Sequence, residues 1–266
     1  MKKDHNNFTN FLEVIKIGGS IANNPASLDA FLKNFVQLDH SKILVHGGGN
    51  AASNLCKRLN IPIKMNQGRR ITDEPALDVA VMVYAGLINK KIVAKLQALS
   101  CNALGLSGAD LNTIPAKKRN HPEIDYGFVG DIEPDDINTH HIRRLIDDQI
   151  VPVFSAITHD TKGQLFNTNA DTIAASLAMA LAGNFDVTLT YCFEKKGVLE
   201  DVDDETSWIS ELSRQQFIDL KNDGSIHEGM IPKLETGFEA LHQDVKQVRI
   251  KNAENLTNDI GTKLSL

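Results

Sequence analysis

The sequence predicts an α/β protein built on a mainly parallel sheet. Three observations carry this. Strand and helix patterns alternate from Glu13 to Ile250. Two apolar runs end directly in glycine turns, Lys16-Ile17-Gly18-Gly19-Ser20 and His46-Gly47-Gly48-Gly49-Asn50. A third turn, Asn167-Thr168-Asn169-Ala170-Asp171, opens an alanine-rich helical run. Strands and helices that alternate along a chain fold as a parallel sheet covered by helices.

Glu13–Ile17 is a short β-branched run and reads as a strand. In Ala26–Leu38, residues Leu28, Phe31, Leu32, Phe35 and Leu38 share one helical face. Lys42–Val45 is the second strand and Ala51–Leu59 the helix after it. Glu74–Ser100 reads as one long helix, with Pro75 suited to its first turn. Ala103–Leu106 reads as a strand, Tyr126–Ile132 as a hairpin and Asp135–Asp148 as a helix. Ile150–Phe154 is a strand, and Gly163–Phe166 a short one after a turn. Thr172–Leu181 is apolar nearly all round, so this helix should be buried. Val187–Thr190 is a strand, Ser213–Lys221 and Ile231–Leu241 are helices, and Gln247–Ile250 is the last strand. Residues 1–12 form a polar lead-in without a signal-peptide core.

The chain has 266 residues, enough for one large domain or two lobes. Its net charge of −6 argues against nonspecific binding to nucleic acid or an anionic membrane. No apolar run reaches the roughly 18 residues of a membrane span. Cys56, Cys101 and Cys192 are widely spaced, without a CxxC pair. They read as reduced thiols of a cytoplasmic protein. His140-His141 has no partners at metal-ligand spacing, so no protein metal site is expected.

The glycine turns point to an anion. Glycine at a strand-to-helix turn lets backbone N–H groups approach a ligand, and a helix N-terminus adds partial positive charge. Lys16 ends a strand beside Gly18 and Gly19. A strand-end lysine can simply reach water, but the adjacent glycines favour a phosphate contact. Three glycines after a strand leave no side chain to pack, so a close ligand explains them better than a tight turn does. His46 reads as a packed, hydrogen-bonded histidine rather than a base. Asp171 follows an Asn-Thr-Asn cluster that would serve as a helix cap. A carboxylate there can also orient two lysine ammonium groups. Lys233, in Gly229-Met230-Ile231-Pro232-Lys233, starts a helix, where a cation is unfavourable unless an anion offsets it. Arg70, in Gly68-Arg69-Arg70-Ile71-Thr72-Asp73, offers a fork for a carboxylate. Lys117-Lys118-Arg119 reads as an exposed loop.

Taken in order, Lys-x-Gly-Gly, His-Gly-Gly-Gly, Gly-x-Arg-x-Thr, Asn-x-Asn-Ala-Asp and Gly-Met-Ile-x-Lys resemble the amino acid kinase superfamily. Within it the chain is most similar to the branch that phosphorylates N-acylated glutamate, the second step of arginine biosynthesis. Asn89-Lys90 and Tyr126-Gly127-Phe128-Val129-Gly130-Asp131 fit as well. The resemblance implies a three-layer αβα sandwich in two lobes. Residues 13–175 would bind the acylglutamate and build a homodimer, and residues 176–266 would bind ATP with Mg2+ held mainly by its phosphates. Lys16 and Lys233 match the lysines that stabilise the transferring phosphoryl group, and Asp171 the carboxylate that organises them. Gly48 and Gly49 match backbone donors near the substrate. Arg70 and Asn167 match residues that hold the acylglutamate, Arg70 on its α-carboxylate. Gly18, Gly19, Gly197, Val198, Leu199, Gly229 and Met230 match the nucleotide site.

The chemistry implied is phosphorylation of a side-chain carboxylate. Such a carboxylate, with a pKa of about 4.3, is ionised near neutral pH and needs no general base. Acetyl and succinyl both remain open as the acyl group. The chain departs from the family in two places. The usual Asp-x-x-Gly-Val-Leu segment is Thr190-Tyr191-Cys192-Phe193-Glu194-Lys195-Lys196-Gly197-Val198-Leu199 here, longer and without the aspartate. Residues 1–12 are too few for the extra helix that links dimers in arginine-inhibited members, so a homodimer without strong arginine feedback is expected. The alternatives are an aspartate, glutamate or uridylate kinase of the same superfamily, or a non-catalytic sensor of an amino acid or nucleotide.

Overall fold

The computed structural model describes residues 10–266, apart from 67, 68, 202, 227 and 228. Residues 1–9 of the expected lead-in, and Gly68 of the arginine motif, lie outside the described residues.

Strand β1 (Phe11–Ile17) begins two residues earlier than expected and is buried along nearly its whole length. A short helix, α1 (Gly19–Asn23), follows at once, and Asn24 caps the next helix, α2 (Pro25–Val36), through its side chain. The buried stripe of α2 is Leu28, Phe31, Leu32 and Phe35, as the helical spacing predicts. Then come β2 (Ser41–His46) and α3 (Gly49–Arg58). A hairpin, β3 (Lys64–Asn66) with β4 (Arg69–Ile71), precedes α4 (Glu74–Val81).

The expected long helix continues from α4 through a π-helical segment, Met82–Ile88, into α5 (Asn89–Ala98). In that wider turn, Tyr84 and Ile88 both come to lie against Gly48. Next are β5 (Ala103–Leu106), β6 (Lys117–Lys118) and β7 (Gly130–Asp131). The expected hairpin over Tyr126–Ile132 does not close on itself. Its end, β7, pairs instead with β6, from the segment read as an exposed loop. The expected helix Asp135–Asp148 is a short turn followed by α6 (Thr139–Asp147), because the Asn138 N–H leaves the helical pattern to bond the Thr113 carbonyl.

The remainder is β8 (Val151–Ser155), β9 (Ile157–His159), β10 (Leu165–Asn167), α7 (Ala170–Ala182), β11 (Asp186–Phe193), β12 (Glu211–Ser213), α8 (Arg214–Asn222), α9 (Ile231–His242), β13 (Gln247–Asn252) and β14 (Thr262–Ser265). Eight strands form one sheet in the order β12-β14-β13-β11-β1-β2-β8-β5. Every neighbouring pair in it is parallel except β13 with β14. Helix α7 packs on β1, β11 and α9, and is buried on most sides. Residue 175, the expected lobe boundary, falls inside this helix. No helix of the described residues is long and apolar enough to cross a membrane.

The topology positions the site. Strand β1 sits between β2, which follows it in the chain, and β11, which comes much later. In an open α/β sheet, ligands bind beyond the carboxyl ends of the strands where the winding reverses. Lys16 stands near the carboxyl end of β1, level with Val45 in β2 and Tyr191 in β11.

Candidate active site

A cleft of about 350 Å³ opens at these strand ends, lined by Lys16, Gly47–Gly49, Arg70, Asn167 and Asp171 among others. Lys16 Nζ lies 2.7 Å from Asp171 Oδ1. Lys233 Nζ lies 2.6 Å from Asp171 Oδ2. One carboxylate, buried at the second residue of α7, therefore holds a lysine on each oxygen. The lysines come from β1 and from the first turn of α9, separated by more than two hundred residues of chain.

This unit is charged and nearly dry. Burial pushes the Asp171 carboxyl up, but the ammonium groups of Lys16 and Lys233 overcome it and hold it down at about 2. Burial pulls the Lys16 ammonium below its ordinary value; Asp171 opposes this, and the positive charge of Lys233 adds to it. Two cations against one anion leave a net positive centre, which an incoming phosphate would neutralise.

Glycines frame the same cleft, and they divide into two kinds. A Cβ on Gly48 would stand 2.6 Å from both Ile88 and Tyr84 side chains, so packing alone demands glycine there. A Cβ on Gly49 would meet nothing within 4 Å, and one on Gly18, Gly19 or Gly47 would meet nothing closer than 3.5 Å. Packing within the chain does not explain those four. Gly49 begins α3, whose N-cap Gly48 offers no side-chain cap, so its first N–H groups face the cleft without a side-chain partner. At α7, by contrast, Asn169 Oδ1 accepts from the N–H groups of Asp171 (2.7 Å) and Thr172 (3.3 Å).

His46 lies beneath the glycine turn, fully buried. Its Nδ1 bonds the Gly47 carbonyl at 3.0 Å, and Asn89 Nδ2 donates to Nε2 at 3.1 Å. These partners require a neutral ring with its proton on Nδ1. Burial is the larger influence and pulls the pKa of His46 down to about 4, against the opposing Gly47 bond. Both ring nitrogens are occupied, so this histidine anchors the turn and is not placed to take a proton from a substrate.

Arg70 donates to Ser53 Oγ at 2.5 Å and to the Gly49 carbonyl at 3.3 Å, which steers its guanidinium over the glycine turn. Asn167 donates to Thr72 Oγ1 at 3.0 Å. The segment 126–129 stitches these two together. Thr72 N–H bonds the Tyr126 carbonyl, Phe128 N–H bonds the Thr72 carbonyl, and Asn167 N–H bonds the Phe128 carbonyl. Gly127 has φ +71°, and a Cβ there would fall 2.2 Å from the Thr72 carbonyl oxygen, so only glycine fits.

Two residues on the rim escaped the sequence reading. Tyr84, from the π-helical segment, lines the cleft beside Arg70. Arg119 donates to Asp131 Oδ1 through Nε (2.9 Å) and Nη2 (2.5 Å), with its guanidinium over the Tyr126 ring. A run of three basic residues resembles solvated surface, and only its pairing with β7 reveals the difference.

The nucleotide-site residues implied by the resemblance lie elsewhere, Gly19 excepted. Val198 and Leu199 are buried. Val198 N–H donates to Thr262 Oγ1 at 2.8 Å, and a Cβ on Gly197 would stand 2.4 Å from that same oxygen. Gly229 and Met230 immediately precede α9. Gly18 precedes α1 as its N-cap. These residues do not line the cleft that holds Lys16.

A fold with this sheet order, and a cleft with this pair of lysines on one carboxylate, define a kinase class. A model of the amino acid kinase family matches residues 12–252. The chain belongs to that family. The acetylglutamate kinase of Bacteroides thetaiotaomicron is 50% identical over 253 residues, covering 95% of this chain and 98% of that protein. The acetylglutamate kinase of Cytophaga hutchinsonii is 48% identical over 260 residues, covering 95% and 98%. Among solved structures, smu.665 from Streptococcus mutans UA159 superposes with a TM-score of 0.79 at 27% identity, covering 96% of this chain and 98% of that one.

Proposed function

We propose that this chain is an ATP-dependent acylglutamate kinase, which moves the γ-phosphoryl group of ATP to the side-chain carboxylate of an N-acylated L-glutamate. The observation that carries the reading is the convergence of Lys16 and Lys233 on Asp171, which lines a glycine-walled cleft together with Lys16. Phosphoryl transfer needs positioning and charge stabilisation more than covalent chemistry, and two ammonium groups held apart by a shared carboxylate supply both. The nucleophile is already ionised at neutral pH, so the occupied ring of His46 is no obstacle.

The roles are those the family resemblance implies, and the geometry supports them. Lys16 and Lys233 hold the transferring phosphoryl group from two sides, and Asp171 fixes their spacing. Gly48 and Gly49 supply N–H donors where negative charge builds up. Arg70 takes the α-carboxylate, and Asn167 also holds the acylglutamate. ATP lies toward residues 176–266, with Gly18, Gly19, Gly197, Val198, Leu199, Gly229 and Met230 on its side. We place Mg2+ on the ATP phosphates, because Asp171 already serves two lysines. A homodimer in the cytoplasm, built on residues 13–175, accompanies this reading; light scattering checks the dimer.

The deciding experiment measures ADP release with N-acetylglutamate, N-succinylglutamate, glutamate, aspartate and uridylate, and traps the acyl phosphate as a hydroxamate. Turnover with an acylglutamate, and not with the other three, is expected. Comparison of the two acylglutamates identifies the acyl group. Nucleotide binding without turnover on any of them would leave a sensor, not a kinase.

A further inference from the structure

We propose that Tyr191 is a positioning residue for phosphoryl transfer, whose hydroxyl ties the first turn of α7 to the first turns of α9 and so sets the spacing of Lys16, Asp171 and Lys233. The proposal rests on the kinase reading above.

Tyr191 lies in β11, level with Lys16 in the neighbouring strand, and only 1% of it is exposed. Its hydroxyl stands 3.4 Å from the Asp171 carbonyl oxygen and 3.0 Å from Thr236 Oγ1. Thr236 can donate its own proton to the Pro232 carbonyl, 2.9 Å away and next to Lys233 in the chain. Either hydroxyl can donate in the Tyr191–Thr236 bond, whereas toward the Asp171 carbonyl only Tyr191 can. Burial, then the negative charge of Asp171, raises the Tyr191 pKa above its ordinary value, so the phenol keeps its proton. The result is one continuous chain from the backbone of Asp171, through Tyr191 and Thr236, to the backbone beside Lys233. Its middle member sits beside the strand that carries Lys16.

A phenylalanine would fill the same space without a polar atom to satisfy. A buried hydroxyl costs desolvation unless it is bonded, so what it contributes here is the link itself. The two helices also pack on each other, and among the described side chains the direct polar link between them is Lys233 with Asp171, the very contact that must meet a phosphoryl group. A displacement of about 1 Å in such a site can cost a hundredfold in rate. Tyr191 also falls in the segment where this chain departs from the Asp-x-x-Gly-Val-Leu pattern.

The test uses the whole enzyme and the acylglutamate that the wild type turns over best. The variants are Tyr191→Phe, Thr236→Val, Thr236→Ser and the Tyr191→Phe/Thr236→Val double. Tyr191→Phe and Thr236→Val should each lower kcat about tenfold while KM stays within about twofold. The double should be no slower than the slower single, because both break one chain. Thr236→Ser, which keeps the hydroxyl, should retain wild-type kcat. Wild-type kcat in Tyr191→Phe, or losses that multiply in the double, would overturn the proposal. A wild type inactive on every acylglutamate sinks the kinase reading instead. The tie is then judged from crystal structures of wild type and Tyr191→Phe: a lengthened Lys233–Asp171 contact supports it, and an unchanged one overturns it.

Discussion

Lys16 Nζ stands 2.7 Å from Asp171 Oδ1, with the two side chains only 9% and 8% exposed. Lys233 meets the other oxygen at 2.6 Å and is more open, at 20%. The three groups are thus unequal. Removing Asp171 strands a buried cation, whereas removing Lys233 leaves a buried pair intact.

That inequality separates catalysis from folding. Lys233→Ala should lower kcat by about 10²–10³, the usual loss of one group that stabilises transition-state charge. Its unfolding midpoint in urea should stay close to wild type, because Lys16 still pairs with Asp171. Asp171→Asn should lower kcat comparably and also destabilise the fold by about 3–5 kcal/mol, the cost of leaving a buried charge uncompensated. Steady-state kinetics and urea titration of both variants check this. Near-normal turnover in Lys233→Ala would refute its assignment.

Much of this arrangement is legible in the sequence. Strands β1, β2, β8, β11 and β13 are apolar runs, and the helices α2, α7 and α9 show their faces or caps. Lys16, Asp171 and Lys233 stand out because each sits where a strand ends or a helix begins. What escapes notice is short or depends on distant packing. Strands β3, β4, β6, β9, β12 and β14 run two to four residues, too few to show a period. The π-helical segment has no sequence signature, so the approach of Tyr84 to Gly48 is invisible until the helix is laid against the turn. Tyr191 falls just past the expected strand Val187–Thr190, and its bonding is not legible in the sequence because its partners lie 20 and 45 residues away.

His46 and Asp171 both contribute to the response to acid. The pKa of His46 falls from 6.5 to about 4 in the folded chain, so as pH drops below 6.5 the unfolded chain takes up the proton first. Stability present at neutral pH is therefore lost between pH 6.5 and 4. Asp171 falls from 3.8 to about 2, so its share is present above pH 3.8 and is lost as pH falls toward 2. Each contribution is on the order of 2–4 kcal/mol. Urea unfolding at pH 7, 5.5 and 4.5 should show a falling stability in wild type. The slope should be shallower in His46→Gln, even though that variant starts less stable. Equal slopes would mean that His46 does not titrate in this range.

Gly48 and Gly49 are adjacent, yet they should fail differently. Gly48→Ala forces a methyl into the Tyr84 and Ile88 side chains, at 2.6 Å, and should cost roughly 1–3 kcal/mol of stability. Gly49→Ala adds a methyl to open space and should change stability by no more than about 0.5 kcal/mol. Its loss should appear in substrate affinity and kcat instead, because the methyl enters the cleft. Thermal melts paired with kinetics distinguish the two. A stable, fully active Gly49→Ala would show that no ligand comes close to this turn.

Arg70 is preset by its neighbours. Nη2 is held by Ser53 and by the Gly49 carbonyl, and the Tyr84 side chain lies against the same guanidinium. A guanidinium offers a planar fork of donors to a carboxylate, and lysine cannot reproduce that fork. Arg70→Lys keeps the charge and loses the geometry. In the proposed role the α-carboxylate is bound equally in ground and transition states, so the change should fall on KM and spare kcat. An increase of about tenfold in KM for the acylglutamate is expected, the worth of one charge-assisted bond. KM for ATP should stay within experimental error. A rise in KM for ATP instead would place Arg70 on the nucleotide side of the cleft and reverse the assignment of its two ends.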